Sequence, residues 1–265
     1  MTILNITEQE LEYKHFCENI RKVAGLDLLQ YKQGQMERRI RAYADRNQVT
    51  TLPDLWNIIN KDAQSLRKFL DHITINVSEF FRNPDKFDEL RDIIIPELLK
   101  QKSRLFIWSA GCSYGAEPYS LCILMNELTP GIKHKIWATD IDNTILAKAR
   151  NGIYIADDLK NISDDKKVKY FTKDNDKFIL NPDIRYGVTF EQHDLLKSKF
   201  PIDADLILCR NVVIYFNDEA KKILFDRFAR AIRPGGYLLV GSTERIVNSA
   251  DIGLQSNRPF FYKRV

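Results

Sequence analysis

Two glycines and a glutamate follow the first strand-like run of the sequence and could build a ligand site. The run Arg104–Trp108 leads to Gly111, Gly115 and Glu117, in a turn that opens a predicted helix. Glycine lets the backbone approach a ligand closely, and open α/β sheets bind ligands at the carboxyl ends of their strands. The glycines lack the G-x-G-x-x-G spacing of dinucleotide-binding proteins. A nicotinamide dehydrogenase is therefore disfavoured.

Acidic residues near predicted strand ends indicate the chemistry of the ligand. Glu117 would repel an anion but would tolerate a zwitterion that carries a sulfonium, although the helix dipole alone also favours an acid there. Asp140 ends the second predicted strand, where a carboxylate can accept hydrogen bonds from ribose hydroxyls. Asp194 follows the third strand and either reaches an adenine amino group or caps a helix. Their order along the chain indicates an adenosine-containing ligand.

Short apolar runs separated by helical segments must position these residues. The predicted strands are Arg104–Trp108, Lys135–Thr139, Val188–Glu191, Asp205–Cys209 and Tyr237–Val240. Buried parallel strands that alternate with helices predict an open, Rossmann-like α/β sheet. A tight turn at Arg233–Gly236 should precede the last of these strands. A terminal strand at Phe260–Tyr262 could insert beside it, which is the sheet order of methyltransferases.

A small helical unit over residues 1–75 is predicted to precede an α/β domain over residues 76–265. Thr7–Glu10 is a capping-box pattern that should start a helix running to Gly25. Further helices are predicted at Gln33–Asn47, after Thr51–Pro53, at Ala63–Ile73 and at Pro84–Lys100. Between residues 152 and 188, turn residues alternate with β-prone runs and predict a small antiparallel insert. This insert is either a decorated surface loop or a partner-docking unit.

The amino-acid composition argues against a nucleic-acid binder, a zinc site and a membrane span. The 265 residues hold 40 Lys and Arg against 36 Asp and Glu, and a net charge of +4 is too weak to indicate a nucleic-acid binder. The cysteines and histidines lack the paired spacing of a zinc site, so no metal is expected. No apolar run approaches the roughly 18 residues that a membrane span needs. We expect a cytoplasmic protein with reduced thiols, and nothing indicates an obligate oligomer, so a monomer is expected.

Longer motifs make the resemblance to a known family specific. They are Ile75–Arg82, Gly111–Ser120, Ala138–Asp142 and Cys209–Phe216. Over nearly its whole length the chain resembles the CheR family of chemotaxis receptor methyltransferases. The resemblance implies an all-α amino-terminal domain, then a Rossmann-like class I methyltransferase domain with a small β-subdomain. It also implies methyl transfer from S-adenosylmethionine to receptor glutamates, which leaves S-adenosylhomocysteine as product and forms glutamate methyl esters for sensory adaptation.

By motif position, the resemblance also implies which residues bind the cofactor. These are Asn76, Ser78, Arg82, Glu117, Asp140, Asp194, Leu195, Arg210 and Asn211. Many relatives carry two consecutive acids before the proline of the second motif. Here the first of them is Ala116, so only Glu117 can take that role. Ser78 stands where relatives often have threonine, which preserves the hydroxyl.

The chemistry of methyl transfer to a carboxylate suggests two catalytic residues. A glutamate side chain with a pKa of about 4.3 is ionised at neutral pH, so alignment and desolvation matter more than a general base. We expect Arg82 and Tyr215 to orient this carboxylate, since a guanidinium fits its geometry and a phenol donates one hydrogen bond. Otherwise Arg82 is a surface charge beside a helix and Tyr215 a core aromatic.

An arginine-rich helix is the predicted partner surface of the amino-terminal domain. Met36, Ile40 and Tyr43 share one stripe of this helix. The arginines Arg38, Arg39, Arg41 and Arg46 spread over the opposite, exposed face. They form either a solvated face or, as the resemblance favours, a docking face for the glutamate-rich cytoplasmic domain of methyl-accepting chemotaxis receptors.

Other functions remain open on sequence alone. The same basic helix could serve a nucleic-acid methyltransferase, although Arg210–Tyr215 lacks the proline pair of the Asn-Pro-Pro-Tyr-like motif that holds an exocyclic amine. A non-catalytic scaffold that binds S-adenosylmethionine as a signal is a second alternative, disfavoured because Arg82 and Tyr215 are both present.

Overall fold

The computed structural model describes residues 8–74 and 78–265 of the chain. Thr7, the first residue of the predicted capping box, lies outside these ranges. Contacts divide the chain into two compact units, Met1–Ile75 with Tyr215–Lys221, and Asn76–Ile214 with Lys222–Val265. In the described ranges no helix is both long and apolar enough to span a membrane.

The first unit is helical, as predicted. Its helices are α1 (Glu8–Ala24), α2 (Gln33–Arg46), α3 (Leu52–Ile59) and α4 (Ala63–Ile73), with a 3-10 turn at Leu28–Gln30. The side chains of Thr51 and Asp62 start α3 and α4, because each accepts a hydrogen bond from the backbone N–H three residues later. Phe16 and Tyr43 pack edge to face on Phe69, with ring centroids 5.8 and 5.2 Å apart. This aromatic cluster packs α1, α2 and α4 against one another.

The second unit is built on a mixed sheet that carries the predicted strands. Its strands are β1 (Phe106–Ala110), β2 (Lys135–Asp140), β6 (Val188–Gln192), β7 (Ala204–Cys209), β8 (Ile232–Val240), β9 (Leu254–Arg258) and β10 (Phe261–Arg264). Among the described residues they form a seven-stranded sheet in the order β6-β2-β1-β7-β8-β10-β9. The first five are parallel, whereas β10 is antiparallel to both β8 and β9. The terminal strand therefore inserts beside the late strand, as the sequence predicts.

Helices cover this sheet and connect its parallel strands. They are α5 (Pro84–Glu89) and α6 (Ile95–Leu99), joined by a π-helical turn at Leu90–Ile94, then α7 (Ala116–Leu128), α8 (Asn143–Asn151) and α11 (Asp218–Ala231). The residues of β7 are all buried, and α7 buries most of its length. Buried parallel strands without apolar–polar alternation are expected where helices cover a sheet.

The predicted antiparallel insert is present between β2 and β6. Strands β3 (Ile153–Ile155), β4 (Phe171–Asp174) and β5 (Lys177–Leu180) form, within the described residues, a three-stranded antiparallel sheet in the order β3-β5-β4. The insert also contains the short helices α9 (Asp164–Tyr170) and α10 (Pro182–Arg185), together with a 3-10 turn at Ala156–Leu159. These helical segments were not predicted.

The structure corrects three details of the predicted sheet. First, β1 runs two residues later than expected, because Ser109 and Ala110 still pair with β2. Second, Arg233–Gly236 does not precede β8 but lies inside it, as an excursion where the register with β7 shifts. Third, β9 was missed, since its first residue, Leu254, is buried and the rest are exposed.

Candidate active site

Loops that follow neighbouring parallel strands meet at the carboxyl edge of the main sheet. The N–H groups of Gly111 and Cys112, just after β1, both donate to Thr139 O on β2 at 2.8 Å. Across the next pair of strands, His193 N donates to Asp140 O at 2.9 Å. Gly111 has a φ of +79°, and a Cβ there would collide with Val212 after β7. The predicted glycine turn is therefore packed against the other loops of this edge.

Asp140 presents a partly exposed carboxylate at the end of β2. Its Oδ2 accepts from Ser113 N at 2.8 Å and its Oδ1 from Asp142 N at 3.1 Å. Desolvation raises the pKa of this carboxyl above its ordinary value, and the amides of Asp142 and Ser113 oppose that shift. An ionised carboxylate with a partly open face is a suitable acceptor for ribose hydroxyls.

The backbone between Ser78 and Asn83 adopts a strained conformation. Phe81 and Asn83 have φ angles of +49° and +57°, in a region that residues other than glycine seldom occupy. Phe81 N donates to Ser120 Oγ of α7 at 2.9 Å, which helps to hold the segment. Asn76 belongs to the same motif but lies outside the described residues, so its cofactor contact stays a prediction.

Arg210 ties this strained segment to the glycine turn. Its Nη2 donates to Arg82 O and to Asn83 Oδ1, both at 2.7 Å, and its Nη1 lies 3.2 Å from Glu117 Oε2. The Arg210 side chain is 2% exposed, and Ser109 Oγ also donates to Glu117 Oε1 at 2.8 Å. The predicted cofactor residues Glu117 and Arg210 are thus brought together, but as a buried ion pair that organises the loops.

Arg82 differs from Arg210 because its guanidinium is not engaged. Its side chain is partly exposed and makes no hydrogen bond or ion pair with any residue that the structure describes. The Arg82 backbone is nevertheless fixed, since its carbonyl accepts from Arg210. A fixed backbone with an unengaged guanidinium leaves Arg82 able to bind an anionic group.

Sequence reasoning missed the connection between the glycine turn and the insert. The hydroxyl of Tyr114 lies 2.9 Å from Asp158 Oδ1 and also bonds Ser78 O. Asp158 belongs to the 3-10 turn of the insert, and its carbonyl accepts from Phe80 N at 3.0 Å. These contacts join residues 36 to 78 positions apart, and no sequence pattern indicates them.

Asp194 and Leu195 form a turn after β6. Asp194 Oδ1 accepts from Leu196 N at 2.8 Å, so the carboxylate caps a turn and not a helix, and its contact with an adenine amino group stays a prediction. Leu195 is buried, and its carbonyl accepts from Arg227 Nη1 at 2.6 Å. Arg227, which sequence reasoning did not select, also bonds Ser198 O and stacks on Phe200, with 4.0 Å from Cζ to the ring centroid.

Two buried polar atoms test whether the site suits an adenosine-containing ligand. Ser113 Oγ and Asn211 Oδ1 are buried and find no hydrogen-bond partner among the described residues. Ser113 follows β1 and Asn211 follows β7, which are adjacent parallel strands. Buried polar atoms are unfavourable unless a ligand or water pairs with them. Together with the Asp140 carboxylate they fit a ligand rich in hydroxyl and amino groups.

The remaining predicted residues belong to the first unit. Tyr215 is partly exposed, and its carbonyl accepts from Lys32 N at 2.8 Å. On α2, Arg38, Arg41 and Arg46 are exposed as predicted, whereas Arg39 is only partly so. Arg39 Nη1 donates to the carbonyls of His72 and Ile73 at 3.3 and 3.2 Å, so it caps the end of α4.

Comparisons with known families agree with this architecture. Residues 11–74 match the all-alpha domain of CheR methyltransferases, and residues 76–258 match the CheR methyltransferase SAM binding domain. The glycopeptide N-methyltransferase MtfA with bound S-adenosyl-L-homocysteine aligns with a TM-score of 0.38 and 12% identity, over 63% of this chain and 50% of that one. So distant a likeness carries no weight.

Relatives of similar length extend over almost the whole chain. A chemotaxis protein methyltransferase of Listeria innocua is 39% identical over 259 residues, which is 97% of this chain and 98% of the relative. One from Borreliella burgdorferi is 31% identical over 275 residues, 98% of this chain and 96% of the relative. The chain therefore belongs to the CheR methyltransferase family.

Proposed function

We propose that this chain transfers a methyl group from S-adenosylmethionine to glutamate side-chain carboxylates of chemotaxis receptors. The observation that carries the proposal is the contrast between Arg210, whose two Nη atoms bind Glu117 and the Arg82–Asn83 segment, and Arg82, whose guanidinium is unengaged among the described residues. S-adenosylmethionine supplies a methyl group on a positively charged sulfur. The acceptor belongs to the cytoplasmic part of a receptor, so the enzyme would act in the cytoplasm. We propose separately that it acts as a monomer.

The proposed role of Arg82 is to orient the incoming carboxylate. A guanidinium matches carboxylate geometry with paired donors, and the fixed Arg82 backbone limits the positions that its side chain can reach. The glutamate is ionised at neutral pH and needs no general base, so orientation and exclusion of water are the remaining tasks. The role proposed for Tyr215, one further hydrogen bond to the acceptor, rests on its motif position alone.

The cofactor residues proposed from the motifs differ in the support they have. Asp140 offers a partly exposed carboxylate for the ribose, and Asn211 offers an unpaired buried oxygen. Asp194 and Leu195 form a turn that Arg227 holds. Ser78, Glu117 and Arg210 take part in the protein's own contacts, which favours an organising contribution for them. Asn76 remains a proposal from sequence.

We further propose that exposed arginines of α2 bind the acidic receptor surface. Arg38 and Arg41 stand three residues apart on the helix and are exposed. Two such charges attract a partner with clustered glutamates and guide its approach. Arg46 is exposed, but its Nη1 lies 3.3 Å from His72 Nδ1, and Arg39 caps α4. For this reason Arg38 and Arg41 are the better residues to test.

The decisive experiment identifies the methylated product. The protein is incubated with S-adenosylmethionine carrying a labelled methyl group and a cytoplasmic receptor fragment, and base then releases labelled methanol from any methyl ester. Base-labile label on the receptor supports the proposal. Base-stable label on RNA or DNA instead would favour a nucleic-acid methyltransferase, and cofactor binding with no transfer at all would favour a signalling scaffold.

Arg82→Lys and Tyr215→Phe test the proposed catalytic residues in the same assay. Each should lower turnover more than it weakens binding of S-adenosylhomocysteine, because the acceptor and not the cofactor loses its contact. Normal methylation by both variants would refute these roles.

A further inference from the structure

A buried carboxylate outside the predicted site joins the loops after β7 and β8. Glu244 is 5% exposed and lies just beyond β8. Its Oε2 accepts from the N–H groups of Asn211 and Gly241 at 2.9 and 2.6 Å, and its Oε1 accepts from Ile214 N at 3.0 Å. The Glu244 N–H in turn donates to Gly241 O at 2.8 Å. One side chain therefore fixes both ends of the Asn211–Ile214 loop.

Hydrogen bonds from backbone N–H groups explain how the Glu244 carboxylate can be buried. An ion without partners is costly away from water, and Glu244 forms no ion pair with a described residue. Backbone amides stabilise the charge instead, through short hydrogen bonds to an ionised acceptor. In return the carboxylate holds Asn211 in the left-handed region, with a φ of +58°, which asparagine adopts more readily than most residues with a side chain.

We propose that Glu244 is a positioning residue for cofactor binding. It holds the Asn211–Ile214 loop so that Asn211, whose buried Oδ1 has no partner among the described residues, faces the cofactor. Glu244 acts through the backbone of this loop and touches neither the cofactor nor the acceptor. The inference rests on the cofactor role that the proposed function gives to Asn211.

Asp205 offers a matched control, because it is a buried carboxylate with a similar structural task at the opposite edge of the sheet. It is fully buried, accepts from Phe106 N at 2.6 Å, and pairs with Lys102 and Arg233 at 3.0 and 2.5 Å. These contacts lie at the amino ends of β1 and β7, whereas the candidate site lies at the carboxyl ends of the same strands. Asp205→Asn should therefore destabilise the fold without altering the site.

The test compares Glu244→Gln with Asp205→Asn in the full chain. Both should lower the thermal unfolding midpoint, since each removes acceptor capacity from a buried group. Only Glu244→Gln should weaken S-adenosylhomocysteine binding, measured by calorimetry well below the unfolding midpoint. We expect its Kd to rise about tenfold, the scale of one lost charge-assisted hydrogen bond. The KM for the receptor fragment should stay near that of the wild-type protein.

A second variant covers the case in which Glu244→Gln does not fold. A Cβ on Gly241 would lie 2.6 Å from Glu244 Oε2 and 2.8 Å from Asn211 N, so Gly241→Ala should push the carboxylate away from the loop without changing any charge. Its Kd should rise as in Glu244→Gln. Gly34→Ala is the control, because a Cβ there meets nothing within 4 Å.

The outcomes separate this inference from the proposed function. Product affinities of Glu244→Gln and Gly241→Ala equal to those of their controls would overturn the positioning role, even if the wild-type protein methylates receptors. An affinity loss confined to these two variants supports the role. The binding measurement needs no acceptor, so the positioning role can be tested even if the receptor fragment receives no methyl group and only the acceptor part of the proposed function fails.

Discussion

Arg210 and Arg82 have the same chemistry but opposite surroundings. Buried between Glu117 and the carbonyl of Arg82, Arg210 satisfies groups that would otherwise face a low-dielectric interior alone. Its planar guanidinium reaches several acceptors at once, which a lysine cannot do. Arg210 therefore determines the backbone from which the Arg82 side chain extends.

Arg210→Lys should be strongly damaging. A lysine has no planar guanidinium, so Glu117 or Asn83 loses its hydrogen-bond partner. The free energy of unfolding should therefore fall by about 3 kcal/mol. Displacement of the Ser78–Asn83 segment should lower kcat/KM about a hundredfold. Urea denaturation and receptor methylation measure the two effects.

The control for this prediction is Arg230→Lys. Arg230 pairs with Asp226 at 2.9 Å on the exposed surface of α11, where its side chain is 77% accessible. An exposed pair contributes little, so stability should change by less than about 0.5 kcal/mol. Equal losses in the two variants would show that Arg210 has no special role.

Asp140 should make cofactor affinity depend on pH. Burial raises the pKa of the Asp140 carboxyl in the folded chain above its value in the unfolded chain. The protonated carboxyl therefore adds to the stability of the ligand-free fold. This stabilisation is lost as the pH rises through the folded-state pKa. A cofactor that donates ribose hydroxyls needs the ionised form. Affinity should therefore fall on acidification, at a pH above the ordinary range of an aspartate.

Calorimetry of S-adenosylhomocysteine binding across mildly acidic pH measures this effect. Asp140→Asn should bind about tenfold or more weakly, since it loses a charged acceptor, and its affinity should no longer vary with pH in that range. A pH dependence unchanged in Asp140→Asn would assign the titration to another group.

At the scale of elements, the contact between Tyr114 and Asp158 makes the insert part of the site. The 3-10 turn of the insert holds Phe80 N and, through Tyr114, the carbonyl of Ser78. The strained segment is thus supported from the insert as well as from α7 and Arg210. The insert is therefore more than a surface loop, because its 3-10 turn helps to hold the backbone of the candidate site.

Tyr114→Phe tests this support by removing one hydroxyl. The fold should lose about 1 kcal/mol, while the amides of Phe80 and Phe81 should exchange hydrogen faster and turnover should fall. Hydrogen exchange measured by mass spectrometry follows these amides. Tyr186→Phe makes the same chemical change at a residue that is 76% exposed, and it should alter neither exchange nor turnover. Identical exchange in both variants would contradict the link.

Helices and strands that carry a local sequence pattern could be predicted, whereas those without such a pattern could not. Helices α3 and α4 have capping residues, and β7 is a continuous apolar run, so both kinds could be placed from sequence. Strand β9 buries only Leu254 at its start, and polar edge strands resemble loops. The excursion inside β8 depends on pairing with β7, which no local pattern encodes.

The same distinction applies to the site. The position of Asp140 at the carboxyl edge of the sheet could be predicted, because this residue ends a predicted parallel strand. The pairing of Glu117 with Arg210, 93 residues apart, and the anchoring of Asn211 by Glu244 arise only when the chain folds. Arg39 shows the converse error, because its helical position predicts exposure but a contact with α4 partly buries it.

For the molecule as a whole, the position of its charges matters more than their sum. A net charge of +4 over 265 residues produces a weak overall field. Exposed arginines on one helix produce a local positive potential. This potential attracts an acidic partner at close range, within a Debye length of about 8 Å at physiological salt. Recognition by α2 would therefore be sensitive to salt, whereas cofactor binding would not.

Charge reversal at Arg38 and Arg41 should weaken receptor methylation. Replacing both by glutamate sets like charges against an acidic partner, so the KM for a receptor fragment should rise about tenfold at low salt and less at high salt. The Kd for S-adenosylhomocysteine should not change. Steady-state methylation at several salt concentrations, together with calorimetry, measures both quantities.

A matched reversal on the same unit tests whether position or net charge is responsible. Lys61→Glu with Lys68→Glu changes the total charge equally at exposed residues outside α2. If α2 is the docking face, this control should keep a KM near that of the wild-type protein. An equal rise in KM for both double variants would mean that the receptor responds to overall charge, and the docking role of Arg38 and Arg41 would then be abandoned.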